Sequence, residues 1–222
     1  MTTAVIFDMD GTLFQTDKIL ELALNETFNH LRSLNLWDTD TPIDTYRKIM
    51  GVPLPRVWEI LLPEHSNEIR QQMDAFFLEK LVANITRGNG ALYPNAQEIL
   101  NYLHENNYKI FIASNGLTLY LHAIVTYYNL DKWVTETFSI QQNRTLNKGD
   151  LVRTIIDKYK IKAGTVVGDR ISDINAAKDN ALVSIGCNFD FANEAELAHA
   201  DHVINDLSEL QYILTEIGLN PD

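Results

Sequence analysis

Four aspartates and one lysine stand where polar residues interrupt apolar runs. Asp8 and Asp10 follow Ala4-Val5-Ile6-Phe7, in the segment Asp8-Met9-Asp10-Gly11-Thr12. Ser114 and Asn115 close the run from Tyr108 to Ala113, and Asp169 and Asp173 come after Thr165-Val166-Val167-Gly168. Lys148, in Lys148-Gly149-Asp150, precedes a stretch with helical spacing. If these groups meet, the carboxylates repel one another and raise the energy of the ionised set. A divalent cation relieves that repulsion, and oxygen-only donors point to Mg²⁺. Plainer readings exist for each residue. Asp8 and Asp10 can cap a turn, because Asp favours such positions. Ser114 suits a turn or a helix N-cap, and Asp173 suits the first turn of a helix, where the dipole stabilises it. Lys148 can be a solvated helix-start lysine, with Arg144 as the other nearby cation.

The elements that must position these residues follow from hydrophobic patterning. Ala4 to Phe7 is a continuous apolar run, the mark of a strand buried on both faces. Further strands are expected at 108–113, around 138–140, at 165–167, at 182–185 and at 202–204. Helical spacing intervenes at Ala96, Ile99, Leu100 and Leu103, at Leu121, Ile124, Val125 and Tyr128, at Leu151, Ile155 and Ile156, and at Leu207, Leu210, Ile213, Leu214 and Ile217. Strands alternating with helices predict an α/β fold, with a Rossmann-like parallel sheet covered by helices on both faces. Such sheets bind ligands at the carboxyl ends of their strands, which is where the polar residues fall.

Residues 15–89 read differently. Ile19, Leu20, Ala23, Leu24, Phe28 and Leu31 recur at helical spacing, as do Ile69, Met73, Phe76, Phe77 and Leu81. Val57, Ile60 and Leu61 suggest a shorter helix, and Gly51-Val52-Pro53-Leu54-Pro55 reads as a turn. The expected organisation is a catalytic core at 1–14 and 90–222 carrying an inserted helical cap at 15–89.

Composition narrows the function classes. The chain has 222 residues, 45% of them apolar, and a net charge of −12. That apolar fraction argues against disorder, and the acidity argues against nucleic acid and anionic membranes as partners. The single cysteine, Cys187, permits no intramolecular disulfide, which fits a reducing compartment, and it reads as a small buried hydrophobe. Neither a leader-like opening nor a membrane-spanning apolar stretch is visible. The expectation is a soluble cytoplasmic protein, monomeric or a small homo-oligomer. The histidines show no pairing that suggests a zinc site.

Taken in order, these segments resemble the four motifs of the haloacid dehalogenase superfamily. Asp8-Met9-Asp10-Gly11-Thr12-Leu13 is similar to the first, Ser114 to the second, Lys148 to the third and Gly168-Asp169-Arg170-Ile171-Ser172-Asp173 to the fourth. The third departs from the family's frequent Lys-Pro, having Gly149 after Lys148. The resemblance implies that Asp8 is a nucleophile that becomes an aspartyl phosphate and that Asp10 is general acid and then general base. It implies Mg²⁺ held by Asp8, the backbone carbonyl of Asp10 and Asp169, with Asp173 acting through water or by orienting its neighbours. Ser114, Asn115, Lys148, Gly11 and Thr12 would bind the phosphoryl group.

Asp10 sets this chain apart from the family's dehalogenases, whose motif lacks that second aspartate. The expected activity is Mg²⁺-dependent hydrolysis of a small-molecule phosphate ester, with the segment 168–204 reading most like phosphoglycolate phosphatases and 5′-nucleotidases. The alternatives are a sugar-phosphate mutase resembling β-phosphoglucomutase, with the same core chemistry, and a catalytically idle binding protein on the same fold. An inserted lobe can close over the strand ends and supply specificity. Arg47, Lys48 and Arg56, which flank the 51–55 turn, are the expected contacts for a second anionic group, or else ordinary solvated charges.

Overall fold

The computed structural model describes residues 2–49, 52, 54–190 and 192–221, with the side chains of Leu54 and Pro55 left aside. The chain forms two compact units, Met1–Gln15 with Leu92–Asp222, and Thr16–Ala91.

The first unit is built on a parallel sheet of six strands in the order β3-β2-β1-β4-β5-β6. The strands are β1 Thr3–Phe7, β2 Lys109–Ser114, β3 Glu136–Ser139, β4 Ala163–Gly168, β5 Val183–Cys187 and β6 His202–Ile204. In β1, Ala4 and Ile6 pack with Phe111, Ala113, Leu151, Val152, Ile155 and Val166. Val5 and Phe7 point to the other face and are equally buried. A strand apolar on both sides therefore sits centrally, as the unbroken run demands.

Helices connect the strands: α5 Ala96–Glu105, α6 Thr118–Tyr127, α7 Lys148–Tyr159, α8 Ile171–Asp179, α9 Glu194–Leu197 and α10 Leu210–Glu216. The expected strand around 138–140 ends earlier, because Ser139 Oγ accepts from Gln141 N at 3.2 Å and turns Ile140–Gln142 into a 3₁₀ segment. The last helical stretch likewise opens as a 3₁₀ turn, capped by Asp206, before α10.

Strand register sets the level of the polar residues. Phe7 pairs with Ile112 on one side and with Val167 on the other. One residue on, Asp8 lies level with Ala113 and Gly168, and Ser114 and Asp169 stand one step beyond. The chain runs from β1 outward to β2 and β3, then returns to β4 beside β1. The reversal of direction between β1 and β4 is where open α/β sheets form their ligand crevice.

The second unit holds α1 Asp17–Ser33, α2 Ile43–Lys48, α3 Leu54–Leu61 and α4 Asn67–Thr86, with no strand among its described residues. Ile19, Leu20, Ala23, Leu24, Phe28 and Leu31 form the buried face of α1. In α4 the buried apolar positions are Met73, Phe77, Leu81 and Ile85, four residues apart. Trp58 closes this core, its indole N–H donating to Asp74 Oδ1 at 2.8 Å.

The expected 51–55 turn needs correction at one end. Leu54 and Pro55 already belong to α3, since a helix's first turn leaves backbone donors unpaired and so tolerates proline. Gly51 and Pro53 lie outside the described residues. No helix among the described residues is long and apolar enough to cross a membrane.

Candidate active site

Asp8 begins where β1 ends. Its N–H still donates to Val167 O at 2.8 Å, while its Oδ1 accepts from Met9 N, also at 2.8 Å. The chain then coils tightly: the Met9 carbonyl accepts from Leu13 N at 3.0 Å and from Phe14 N at 2.9 Å. Gly11 adopts φ 73°, and a Cβ there would overlap the Asp169 carboxylate. Glycine is needed at this position for conformation and for space. Thr12 is fully buried in the same turn.

Ser114 ends β2, with its Oγ accepting from Gly116 N at 3.0 Å. Ser139 Oγ donates to Gly116 O at 2.6 Å and fixes that loop. Asn115 is half-buried beside it. Lys148 is the first residue of α7, whose N-cap Asn147 accepts from Asp150 N at 3.2 Å. A Cβ on Gly149 would stand 3.0 Å from both Asn147 Oδ1 and Asp179 Oδ2, so a side chain after the lysine would press on both. Asp169 follows β4. Asp173 occupies the first turn of α8, where its Oδ2 accepts from Arg170 N at 3.1 Å. The helix-start reading of Asp173 is thus part of its role. A second carboxylate supports the same loop, with Glu196 Oε2 accepting from Ile171 N at 2.7 Å and from Arg170 Nε at 3.2 Å.

These elements bring the charges together. Lys148 Nζ lies 2.9 Å from Asp8 Oδ1 and is ion-paired with Asp173. Lys148 is 5% exposed and Asp173 only 1%; Arg144, the other nearby cation, is exposed. Asp8, Asp169 and Asp173 each offer a carboxylate oxygen within 4.8 Å of the others. Burial pushes the Asp169 carboxyl well above the usual carboxylate range, helped by Asp173 and Asp8 and opposed by Lys148. Burial also raises Asp173, to about 6, against the pull of Lys148. Burial alone would lower Lys148, but the Asp173 and Asp8 carboxylates hold its ammonium above the usual lysine range.

Three buried carboxylates against one ammonium leave an excess of negative charge, which is costly in a low dielectric. Asp169 Oδ1 is buried with no hydrogen-bond partner among the described residues. An all-oxygen donor set with an orphaned carboxylate oxygen fits a hard divalent cation. Nearby, Cys187 closes β5, and burial pushes its thiol upward, as expected of a packing residue.

Asp10 is half-buried, and its Oδ1 accepts from the Tyr120 hydroxyl at 2.5 Å. Sequence reasoning missed Tyr120 and Glu196. Neither belongs to a motif, and each acts on a residue far from it in the chain. Of the three cations expected to bind substrate, Arg47 is held within its own unit by Asp17 and Glu21, each at 3.2 Å, and by Asp44 at 3.8 Å. Arg56 is exposed and ion-paired with Glu59, and Lys48 is exposed.

Comparison with known proteins places this geometry. Residues 5–186 match the family model described as haloacid dehalogenase-like hydrolase. A 5′-nucleotidase from Pseudomonas aeruginosa is 22% identical, covering 95% of this chain and 94% of the relative. A phosphoglycolate phosphatase from Mannheimia succiniciproducens is 20% identical, covering 94% and 96%. The crystal structure of CbbY from Rhodobacter sphaeroides in complex with phosphate superposes with a TM-score of 0.80 at 19% identity, covering 95% of this chain and 96% of that one. Because the matched region, residues 5–186, spans well over half of the chain and includes the Asp8–Thr12 turn, Ser114, Lys148 and the Asp169–Asp173 segment, the chain belongs to the haloacid dehalogenase-like hydrolase family.

Proposed function

We propose that the protein hydrolyses a small-molecule phosphate monoester through an aspartyl phosphate formed on Asp8, with Asp10 as general acid and base. The observation that carries this reading is the buried Asp8–Lys148–Asp173 cluster with the orphaned Asp169 oxygen beside it. Family membership and relatives named for action on phosphate esters support it.

In the first step, an Asp8 carboxylate oxygen bonds to phosphorus. The ester oxygen leaves with its electron pair and takes a proton from Asp10. In the second step, Asp10 accepts a proton from water, water oxygen bonds to phosphorus, and the Asp8–phosphorus bond breaks. Lys148 and Ser114, with the loop at Asn115 and the Gly11-Thr12 turn, are assigned to the phosphoryl oxygens, where fixed donors stabilise developing charge. Asp8, Asp169 and the Asp10 carbonyl would hold Mg²⁺, with Asp173 supporting them. When bound, the cation offsets carboxylate repulsion and neutralises phosphoryl charge.

Lys48 and Arg56 are assigned to the rest of the substrate ahead of Arg47, whose guanidinium already serves Asp17, Glu21 and Asp44. The test is release of phosphate from 4-nitrophenyl phosphate. Release should require Mg²⁺, stop with EDTA, and pass through an acid-stable-quenched phosphoryl adduct visible by intact mass. Phosphate release without any adduct under rapid quench, or turnover indifferent to EDTA, would refute the mechanism.

A further inference from the structure

Tyr120 reaches from the first turn of α6 to the nucleophile turn, 110 residues away in sequence. Its ring is buried, with 4% exposure, and meets the edge of Phe14 at 6.5 Å and 75°. Phe14 is tied into the turn that carries Asp10, since Gly11 N donates to Phe14 O at 3.1 Å. The start of α6 is anchored independently, with Thr118 N donating to Gln141 Oε1 at 2.9 Å. Both ends of the Tyr120–Asp10 hydrogen bond therefore sit on braced backbone.

We infer that Tyr120 is a positioning residue that holds the Asp10 carboxyl for proton transfer, its hydroxyl donating to Oδ1. The inference rests on Asp10 being the general acid and base. The phenol O–H donates and the carboxyl oxygen accepts, so the proton exchanged in the reaction is the one Asp10 itself carries in its acid form. That proton passes to the leaving oxygen as its bond to phosphorus breaks. The Asp10 carboxylate later takes a proton from the attacking water. Tyr120 keeps its own proton in both steps. Without the hydroxyl, the Asp10 carboxyl turns more freely, and small misplacements of a reacting group cost rate steeply.

The experiment uses Tyr120→Phe, which keeps the ring and removes only the hydroxyl, alongside Asp10→Asn and the double variant. For each, kcat/KM is measured on 4-nitrophenyl phosphate, phenyl phosphate and an alkyl phosphate. Tyr120→Phe should lose about 10- to 100-fold on the alkyl ester, whose leaving group needs the proton, and within about threefold on the nitrophenyl ester. In the Asp10→Asn background it should cost nothing further, because coupled residues are non-additive. A uniform loss across leaving groups, no loss on the alkyl ester, or an undiminished loss in the Asp10→Asn background overturns the role of Tyr120. If Asp10→Asn itself shows no leaving-group dependence, the acid assignment fails, and Tyr120's role with it. That outcome differs from failure of Tyr120 alone.

Discussion

Lys148 in the core and Arg47 in the helical unit are both cations flanked by aspartates, yet they live under opposite physics. The Lys148 side chain is 3% exposed and faces Asp8 and Asp173, which are nearly as buried. The Arg47 side chain is 36% exposed, and its partner Asp44 is 91% exposed. Surface pairs like those of Arg47 are worth about 1 kcal/mol or less. A buried charge set carries a desolvation cost that ion pairing only partly returns. The same residue types therefore mean support in one unit and readiness for a ligand in the other.

The largest contrast should come from charge-neutral substitutions of aspartate. Asp8→Asn should lower kcat by on the order of 10⁴-fold or more, because an amide cannot form the acyl phosphate. In EDTA it should melt no lower than the parent, since one of three mutually repelling carboxylates is gone. Asp17→Asn, in the surface pair, should leave kcat within about twofold. Near-native kcat in purified Asp8→Asn would break the comparison at its core.

Removing the cations sharpens it next. Lys148→Met strips the partner from buried Asp8 and Asp173, so urea unfolding in EDTA should show a loss of about 3–5 kcal/mol. Arg47→Met should cost about 1 kcal/mol or less. Similar losses at the two sites would mean that burial does not separate them.

The carboxylates predict an unusual pH response for the metal-free protein. Asp169 and Asp173 bind protons more tightly folded than unfolded. No penalty arises below the unfolded carboxyl value of about 4. As pH rises through the folded values, about 6 for Asp173, the unfolded chain has already released protons that the fold retains. Stability from this source therefore falls with rising pH, by up to about 1.4 kcal/mol per unit for each group. Melting curves in EDTA should show Tm decreasing relative to Asp169→Asn as pH rises from about 4 toward neutrality. Adding Mg²⁺ at about 100 times its Kd should return about 2.7 kcal/mol near neutrality, and less in Asp169→Ala. A chelated protein whose Tm relative to Asp169→Asn does not change over this range would sink the account.

The smallest effect belongs to the helical unit. Arg56→Ala should raise KM for the best natural ester severalfold while leaving 4-nitrophenyl phosphate nearly unchanged, because binding common to ground and transition states appears in KM. Steady-state kinetics on both substrates decide it. Equal losses on the two would assign Arg56 to the fold, and no change on either would make it a solvated charge.

Much of the core was legible because it is local. Ala4 to Phe7 reads as a strand buried on both faces, and the sheet confirms it. The helical faces of α1 and α5 fall where their spacing predicts. Less legible were features set by neighbours. Ser139 cuts the third strand short through its own side chain, and Leu54-Pro55 opens a helix rather than closing a turn. The expected boundaries lie at 14/15 and 89/90, and the two compact units divide at Gln15/Thr16 and Ala91/Leu92, where Gln15 Nε2 donates to Leu92 O at 2.6 Å.

The amino-acid sequence by itself determined which residues could do chemistry and which element each would follow, because apolar runs and their polar interruptions are properties of neighbouring residues. Only the tertiary structure decided that Lys148 stands 2.9 Å from Asp8 across 140 positions of chain, and that Tyr120 grips Asp10. Those distances depend on the register of β1 between β2 and β4 and on how the following helix starts are held. The cost of burying charge, which marks this cluster for a ligand, exists only once the fold has excluded water.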